Sequence, residues 1–549
     1  MSSANALHTL ESAVGQKLLL AFHGYNQLPS ELSAAIQSYR PAGFTLFRAF
    51  NLKHPAQVFA LTANLQRAAR ASRLPPFLIA VDQEGGQLSA IGEGTTPLPG
   101  NMALGAAGST DLAYQAGQVL GRELGAMGIN VNYAPCCDVN SNPANPVIGI
   151  RSFGEDPQRV AELTAAMVQG IQSCGVAAAA KHFPGHGDTS GDSHHGLPVL
   201  AHNLDRLDHV ELPPFAAAID SGVKLVMTGH LAVPAVDDRQ LPATLSAPLV
   251  EDILRKRLGF SGVVVSDAMD MGAIHQGQDL GASAVMACAA GVDLLLLTTA
   301  AADHERVYTR LLAAARGQDG IPPTLDAAQL YVSARRVQAL KQWLASQPAP
   351  PDLSVVGCAD HRAVATQIAA RSVTLVRNQG QHLPLRNLAD GRLAVVLTAP
   401  QDLTPADTSS YETHTLPQYL RECGAAVDEY LLPAAASETQ AVKLVAQIEN
   451  QKPAYLAVIL GTINASHDPV QAALARGLLR LELPTVIVAL RLPYDLTVFP
   501  EAPTYLCTYN MLAPSMRALA RVLCGQTGPL GHLPVSIPGL HPIGHGLTY

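Results

Sequence analysis

Gly262-Val-Val-Val-Ser-Asp-Ala-Met-Asp-Met-Gly-Ala-Ile274 reads as a buried strand that ends in a carboxylate. Consecutive valines are apolar and β-branched, which suits a strand covered on both faces, as in a parallel sheet flanked by helices. Seven further apolar runs recur in the first 300 residues: Leu18 to Phe22, Gly43 to Phe47, Phe77 to Val81, Val131 to Ala134, Val176 to Ala180, Leu225 to Met227 and Val292 to Leu297. Longer helical patterns separate them. Eight such βα units predict an α/β chain that opens with a (β/α)8 TIM-like barrel. Several runs are followed by polar residues: Asp82-Gln-Glu-Gly-Gly after the third, Lys181-His182 after the fifth, Thr228-Gly-His230 after the sixth and Ser266-Asp267 after the seventh. In a barrel these positions share the carboxyl-terminal rim, where barrel enzymes hold their chemistry. One polar residue there merely solvates a loop, whereas four independent strand ends point to a common pocket.

A helical stretch from about Thr324 to Leu344 closes this region, and Ser346-Gln-Pro-Ala-Pro-Pro-Asp352 reads as a proline-stiffened linker. The expected division is residues 1–345 for the barrel, 346–354 for the linker and 355–549 for a smaller α/β layered (sandwich) domain. Its strands are expected at Val373 to Val376, Leu393 to Leu397, Tyr455 to Leu460, Thr485 to Leu490 and Tyr505 to Thr508, with helices at Glu438 to Ile448 and Pro514 to Leu523.

Composition narrows the function. The formal charge is -8, from 44 acidic and 36 basic residues, with no basic run, which argues against nucleic acid or an anionic membrane as partner. Leu18 to Phe22 is shorter than the roughly 7 to 15 apolar residues of a signal peptide. No stretch is long enough to span a bilayer. Eight cysteines lie scattered without CxxC spacing, as reduced core thiols do, and a cytoplasmic location is expected.

The stretch Lys181-His-Phe-Pro-Gly-His-Gly-Asp-Thr-Ser-Gly-Asp-Ser-His194 leaves a strand and carries three glycines without apolar periodicity, so it should be a loop able to lie close to a ligand. Asp192 and His194 are two apart, close enough for the carboxylate to fix the imidazole tautomer, as a general acid requires. Asp267, held by a rigid strand, suits the attacking carboxylate of a covalent displacement. The cluster of His182, His186, Asp188, Asp192, His194 and His195 follows no familiar metal-ligand spacing, and neither a metal nor another cofactor is expected. His186, Asp188 and His195 read as residues that shape the loop. His230 reads equally as a pocket residue or as a satisfied histidine at a strand end. The glycines at 85 and 86 lack any phosphate-loop context and suggest a tight turn.

Lys181 to His194, Ser266-Asp267, Val81-Asp-Gln-Glu-Gly-Gly86 and Arg151-Ser-Phe-Gly-Glu-Asp-Pro157 resemble the family 3 glycoside hydrolases, specifically their β-N-acetylglucosaminidase branch. The likeness covers most of residues 10 to 345. Leu375-Val-Arg-Asn-Gln-Gly-Gln-His-Leu-Pro-Leu385 and Pro542-Ile-Gly-His-Gly546 are similar to the accessory domain of two-domain members. The resemblance implies a retaining, exo-acting hydrolase that releases terminal β-linked N-acetylglucosamine from peptidoglycan fragments or chito-oligosaccharides. By the same resemblance Asp267 is the nucleophile, His194 and Asp192 are the acid/base dyad, and Asp82, Arg151, Lys181 and His182 hold the terminal sugar. Members of the branch commonly carry an arginine where Ala90 stands here, and Arg48 is the neighbouring residue that could take its place. A neutral histidine base does not repel phosphate, so a phosphorylase is the alternative reaction, and a non-catalytic sugar-binding protein is a third reading. The sequence leaves the oligomeric state open.

Overall fold

A computed structural model describes residues 9–194, 196–275, 279–298, 301–317 and 324–549; His195 lies outside them. Its first half is a closed barrel of parallel strands: β1 Leu18–Leu20, β2 Gly43–Thr45, β3 Leu78–Val81, β4 Val131–Asn132, β5 Ala177–Phe183, β6 Leu225–Thr228, β7 Val263–Ala268 and β8 Leu294–Leu297. Each lies within or beside one of the eight apolar runs, and β8 closes on β1 through Leu18 opposite Leu295.

Side-chain alternation explains why these runs are continuously apolar. Leu78, Ala80, Ala177, Ala179, Leu225, Met227, Val263, Val265, Leu294 and Leu296 pack together inside the barrel. Ile79, Val81, Ala178, Ala180, Val226, Val264 and Leu295 face the surrounding helices. Both faces are therefore buried, and the two-residue period of a strand divides them. Carried along the chain, the lumen-facing parity of β3 reaches Asp82 just past its end, that of β5 reaches Lys181 and that of β7 reaches Asp267.

The helix Ala327–Ala345 closes the amino-terminal end, where Val337, Leu340 and Trp343 pack against the lumen residues. Lys341 of this helix is 8% exposed and has Gln16 Oε1 at 3.1 Å. Burial pulls its pKa down to about 7, from an ordinary 10.5. Between those values the unfolded chain binds the extra proton, so this group makes the fold more stable as pH rises from 7 towards 10.5. Urea unfolding of wild type and Lys341→Met at pH 7 and pH 10 reads this directly. Wild type should gain on the variant by up to about 1.4 kcal/mol per pH unit, and a constant gap would assign the lysine no such cost.

A second, mixed sheet follows, with β9 Thr374–Asn378, β10 Arg392–Thr398, β11 Ala426–Leu432, β12 Tyr455–Thr462, β13 Thr485–Ala489 and β14 Thr504–Cys507 in the spatial order β9-β14-β13-β12-β10-β11. Only the β9 and β14 pair is antiparallel. The sequence reading lacked β11. It is an edge strand that carries Asp428 and Glu429 and exposes Leu431, so it shows none of the apolar continuity of its neighbours.

Candidate active site

A cavity of about 620 Å³ opens at the carboxyl-terminal rim, and Asp82, Arg151, Lys181, His182, His194 and Asp267 all line it. Two of its strands carry one extra residue there. Ala180 and Phe183 of β5 pair with Val226 and Thr228 of β6, while Val265 and Ala268 of β7 pair with Leu294 and Leu296 of β8. A bulge breaks simple alternation and re-aims side chains, which is how the adjacent Lys181 and His182 both reach the cavity.

Lys181 Nζ lies 2.6 Å from both Asp82 Oδ1 and Glu84 Oε1. Glu84 also receives Arg151 in a two-pronged contact, Nε to Oε2 at 3.0 Å and Nη2 to Oε1 at 2.8 Å. Burial opposes ionisation of Glu84, but Arg151 and Lys181 outweigh it and bring its pKa down to about 2. Burial likewise disfavours the ammonium of Lys181, and Asp82 with Glu84 reverse this and hold it above its ordinary value. Glu84 is thus the hub of a buried cradle that presents two fixed cations to a ligand's oxygens. Glycines make the approach possible: Gly85 and Gly86, at φ +83° and +62°, turn the chain back into the short pairing of Gln83–Gly85 with Leu88–Ser89.

Glu84→Gln should cost about 3 kcal/mol or more, because it leaves two buried cations undercompensated. The sign with pH follows from a folded pKa below the ordinary 4.5. Stability from this carboxylate is present above 4.5 and is lost as pH falls towards 2, so the gap between wild type and variant should be wide at pH 7 and narrow at pH 3. Equal gaps at both, measured by urea unfolding, would remove Glu84 from this role.

His182 is held from behind. Its Nδ1 lies 2.8 Å from Asp138 Oδ2, and Asp138 Oδ1 accepts the backbone N–H of His186 at 2.7 Å and that of His182 at 3.2 Å. Arg151 Nη2 is 3.3 Å from His182 Nε2. Cys136 Sγ donates to Asp138 Oδ2 at 3.1 Å, and Cys136, Asp138 and His182 bring their ligand-type atoms within 4.8 Å of one another. Burial keeps that thiol protonated, so the trio reads as a hydrogen-bonded chain that fixes an imidazole.

His194 belongs to the glycine-rich loop. Its Nδ1 is 2.6 Å from Asp192 Oδ1, which also accepts the His194 backbone N–H at 2.9 Å. The carboxylate therefore takes the Nδ1–H and leaves Nε2 for proton exchange. The same loop is tied to the segment after β7, where Gly272 N–H donates to His194 O and Ala273 N–H to Ser193 O, each at 3.2 Å. Asp267 Oδ1 accepts the Ala268 N–H at 2.7 Å. Burial pushes this carboxyl up, but the cationic forms of His182 and His230, the Ala268 N–H and His194 outweigh it and bring the pKa down to about 2. Asp267 is thus an ionised carboxylate at any ordinary pH.

The other histidines divide. His230 Nε2 meets Ala268 O at 2.9 Å and Nδ1 meets Thr244 Oγ1 at 2.8 Å, so it is a satisfied strand-end residue behind Asp267. His186 borders the cavity, yet its two nitrogens meet Thr189 Oγ1 at 2.7 Å and Ser193 Oγ at 3.1 Å, and it shapes the loop. Asp188 contacts His202 at 2.5 Å and Arg206 at 3.3 Å, also within the loop's support.

The second domain completes the wall. Asp402, Pro405, Ala406, Asp407, Thr408 and Tyr411 border the cavity. Thr408 N–H donates to Gln87 O at 2.8 Å, Ser89 N–H to Thr408 Oγ1 at 3.1 Å, and Arg491 joins Asp407 at 2.7 Å and Gln87. Arg48 borders the cavity near Ala90, stacked 3.9 Å above the Tyr411 ring. Sequence reasoning missed Glu84, Asp138 and this loop. Asp138 could have been found by the strand-end rule, since it follows β4.

Fold and cavity together define a barrel enzyme that works at the carboxyl ends of its strands. The chain belongs to glycosyl hydrolase family 3, for residues 9–340 match the model of the Glycosyl hydrolase family 3 N terminal domain. It is 32% identical to the beta-hexosaminidase A of Pseudoalteromonas piscicida over 588 aligned positions, covering 96% of this chain and 97% of the relative. It is 35% identical to a beta-hexosaminidase of Nitrosomonas eutropha over 322 positions, which is 56% of this chain and 90% of that one. The solved family 3 beta-N-acetylglucosaminidase of Paenibacillus sp. str. FPU-7 superposes with a TM-score of 0.89 at 38% identity, over 96% of this chain and 99% of that one.

Proposed function

We propose that this β-N-acetylhexosaminidase works by double displacement with retention at the anomeric carbon. Asp267 attacks that carbon as the His194 Nε2–H protonates the departing oxygen. The resulting glycosyl ester is cleaved by water, whose proton returns to His194, and the sugar leaves with its original β configuration. Asp192 fixes the imidazole tautomer through both steps. Asp82, Arg151, Lys181 and His182 hold the terminal sugar. The observation that carries this reading is one cavity lined by an ionised carboxylate, a carboxylate-held histidine and a pair of anchored cations.

The substrates we infer are peptidoglycan fragments or chito-oligosaccharides ending in β-linked N-acetylglucosamine. Initial rates on the nitrophenyl β-glycosides of N-acetylglucosamine, N-acetylgalactosamine and glucose test it. The first should be fastest and yield free sugar with or without added phosphate. Preference for the glucoside, or accumulation of sugar 1-phosphate, would overturn the substrate or the water acceptor respectively. The division at residues 346–354 and a cytoplasmic location belong to the same proposal. The latter is supported by eight unpaired cysteines, with Cys136, Cys137, Cys288 and Cys507 buried. Among the described residues no helix is long and apolar enough to cross a membrane.

A further inference from the structure

The parallel strands of the second sheet run in the spatial order β11-β10-β12-β13-β14, so the chain leaves β10 to one side and returns on the other at β12. In open parallel sheets a ligand crevice lies beyond the carboxyl ends at such a reversal. Here a second cavity, of about 440 Å³, occupies that position. Gln401 and Leu403 follow β10 on one lip, and Asn464 and His467 follow β12 on the other. Its far wall comes from the barrel, and Val147 and Ile148 line both this cavity and the one that holds Asp267.

Arg491 lines the crevice and is only 4% exposed. Its Nη1 meets Asp407 Oδ2 at 2.7 Å and its Nη2 meets Gln87, whereas its Nε has no hydrogen-bond partner. This Nε is sealed from solvent, so an acceptor reaches it only after a small shift of the guanidinium, and pairing it relieves the cost of a buried unmet N–H. The lip supplies neutral donors and acceptors from Gln401 and Asn464 beside the carboxylate of Asp468, whereas Gln471 is already committed to Thr398, Ile463 and Asp468.

We propose that this crevice is a second saccharide site, which takes a hydroxyl-bearing sugar unit whose hydroxyls meet Gln401 and Asn464, with a shift of Arg491 presenting Nε to one hydroxyl oxygen. The unit comes either from the distal end of a chain whose terminal residue occupies the Asp267 cavity or from a separate oligosaccharide. The proposal rests on the glycosidase reading for the first source but not for the second.

His467→Trp and Leu403→Trp fill the crevice from opposite lips, and neither residue borders the Asp267 cavity. Two measurements on the full chain decide. One is kcat/KM for tetra-N-acetylchitotetraose and for nitrophenyl N-acetyl-β-glucosaminide, and the other is calorimetric titration of Asp267→Asn with the tetraose. With a distal sugar bound, each tryptophan lowers kcat/KM on the tetraose about tenfold and leaves the nitrophenyl substrate unchanged. With a separate sugar bound, both rates hold, and the tryptophan reduces the titration from two sites to one. Unaltered tetraose kinetics together with an unaltered isotherm in both variants would overturn the site. Failure of wild type on the nitrophenyl substrate would instead strike the catalytic reading, and the titration would still report on the crevice.

Discussion

Asp267→Asn is expected to lower kcat on nitrophenyl N-acetyl-β-glucosaminide by roughly 10³- to 10⁵-fold, with KM and folding close to wild type. The amide keeps an oxygen for the Ala268 N–H, which now lies 2.7 Å from the carboxylate. It also keeps the shape of a side chain that lines the cavity from the end of β7. What it loses is the negative charge that can bond to an anomeric carbon. A pKa of about 2 means that the charge is present throughout the working range, so Asp267 does not set the acid limb of the pH profile. An Asn variant within tenfold of wild type would remove this residue from the chemistry.

His194→Ala carries the second large effect, and it should depend on the leaving group. With a sugar or methylumbelliferyl aglycone, whose oxygen needs a proton, the loss should be roughly 10²- to 10⁴-fold. With dinitrophenolate, which departs unprotonated, formation of the glycosyl-enzyme should be nearly spared and its hydrolysis should become limiting. Azide attacks without a general base, so it should restore turnover of the dinitrophenyl substrate and yield the β-glycosyl azide. Equal losses on both leaving groups with no azide effect would make His194 a binding residue. The 2.6 Å contact to Asp192 is the structural reason for expecting acid/base behaviour, because it commits Nδ1 and frees Nε2.

The barrel was legible because each strand is covered on both faces, so its run of apolar residues is unbroken whatever the side-chain parity. Asp267 was legible for a related reason: it shares parity with Val263 and Val265, which face the lumen. Local pattern also marked the loop from Lys181 to His194. The bulges in β5 and β7 were not legible, since an extra residue is a property of the pairing and leaves no trace in one strand alone. Glu84 stood in a quoted motif, yet its place between Arg151 and Lys181 depends on three segments meeting from 67 and 97 positions away. The wall from Asp402 to Tyr411 is remoter still, and its residues are ordinary loop types until the domain docks against Gln87 and Ser89. β11 escaped because an edge strand with charged residues follows neither burial pattern.

Double displacement requires a covalent bond between Asp267 and the sugar. A 5-fluoro N-acetyl-β-glucosaminyl fluoride should trap that bond, because the ring fluorine slows both steps while the anomeric fluoride keeps the first one faster. Mass spectrometry of the inactivated full chain should find one added N-acetyl-fluoroglucosaminyl group, on the peptide that contains Asp267. An adduct on another residue, or turnover with retention through the substrate's own acetamide and no adduct at all, would rule out Asp267 as the nucleophile.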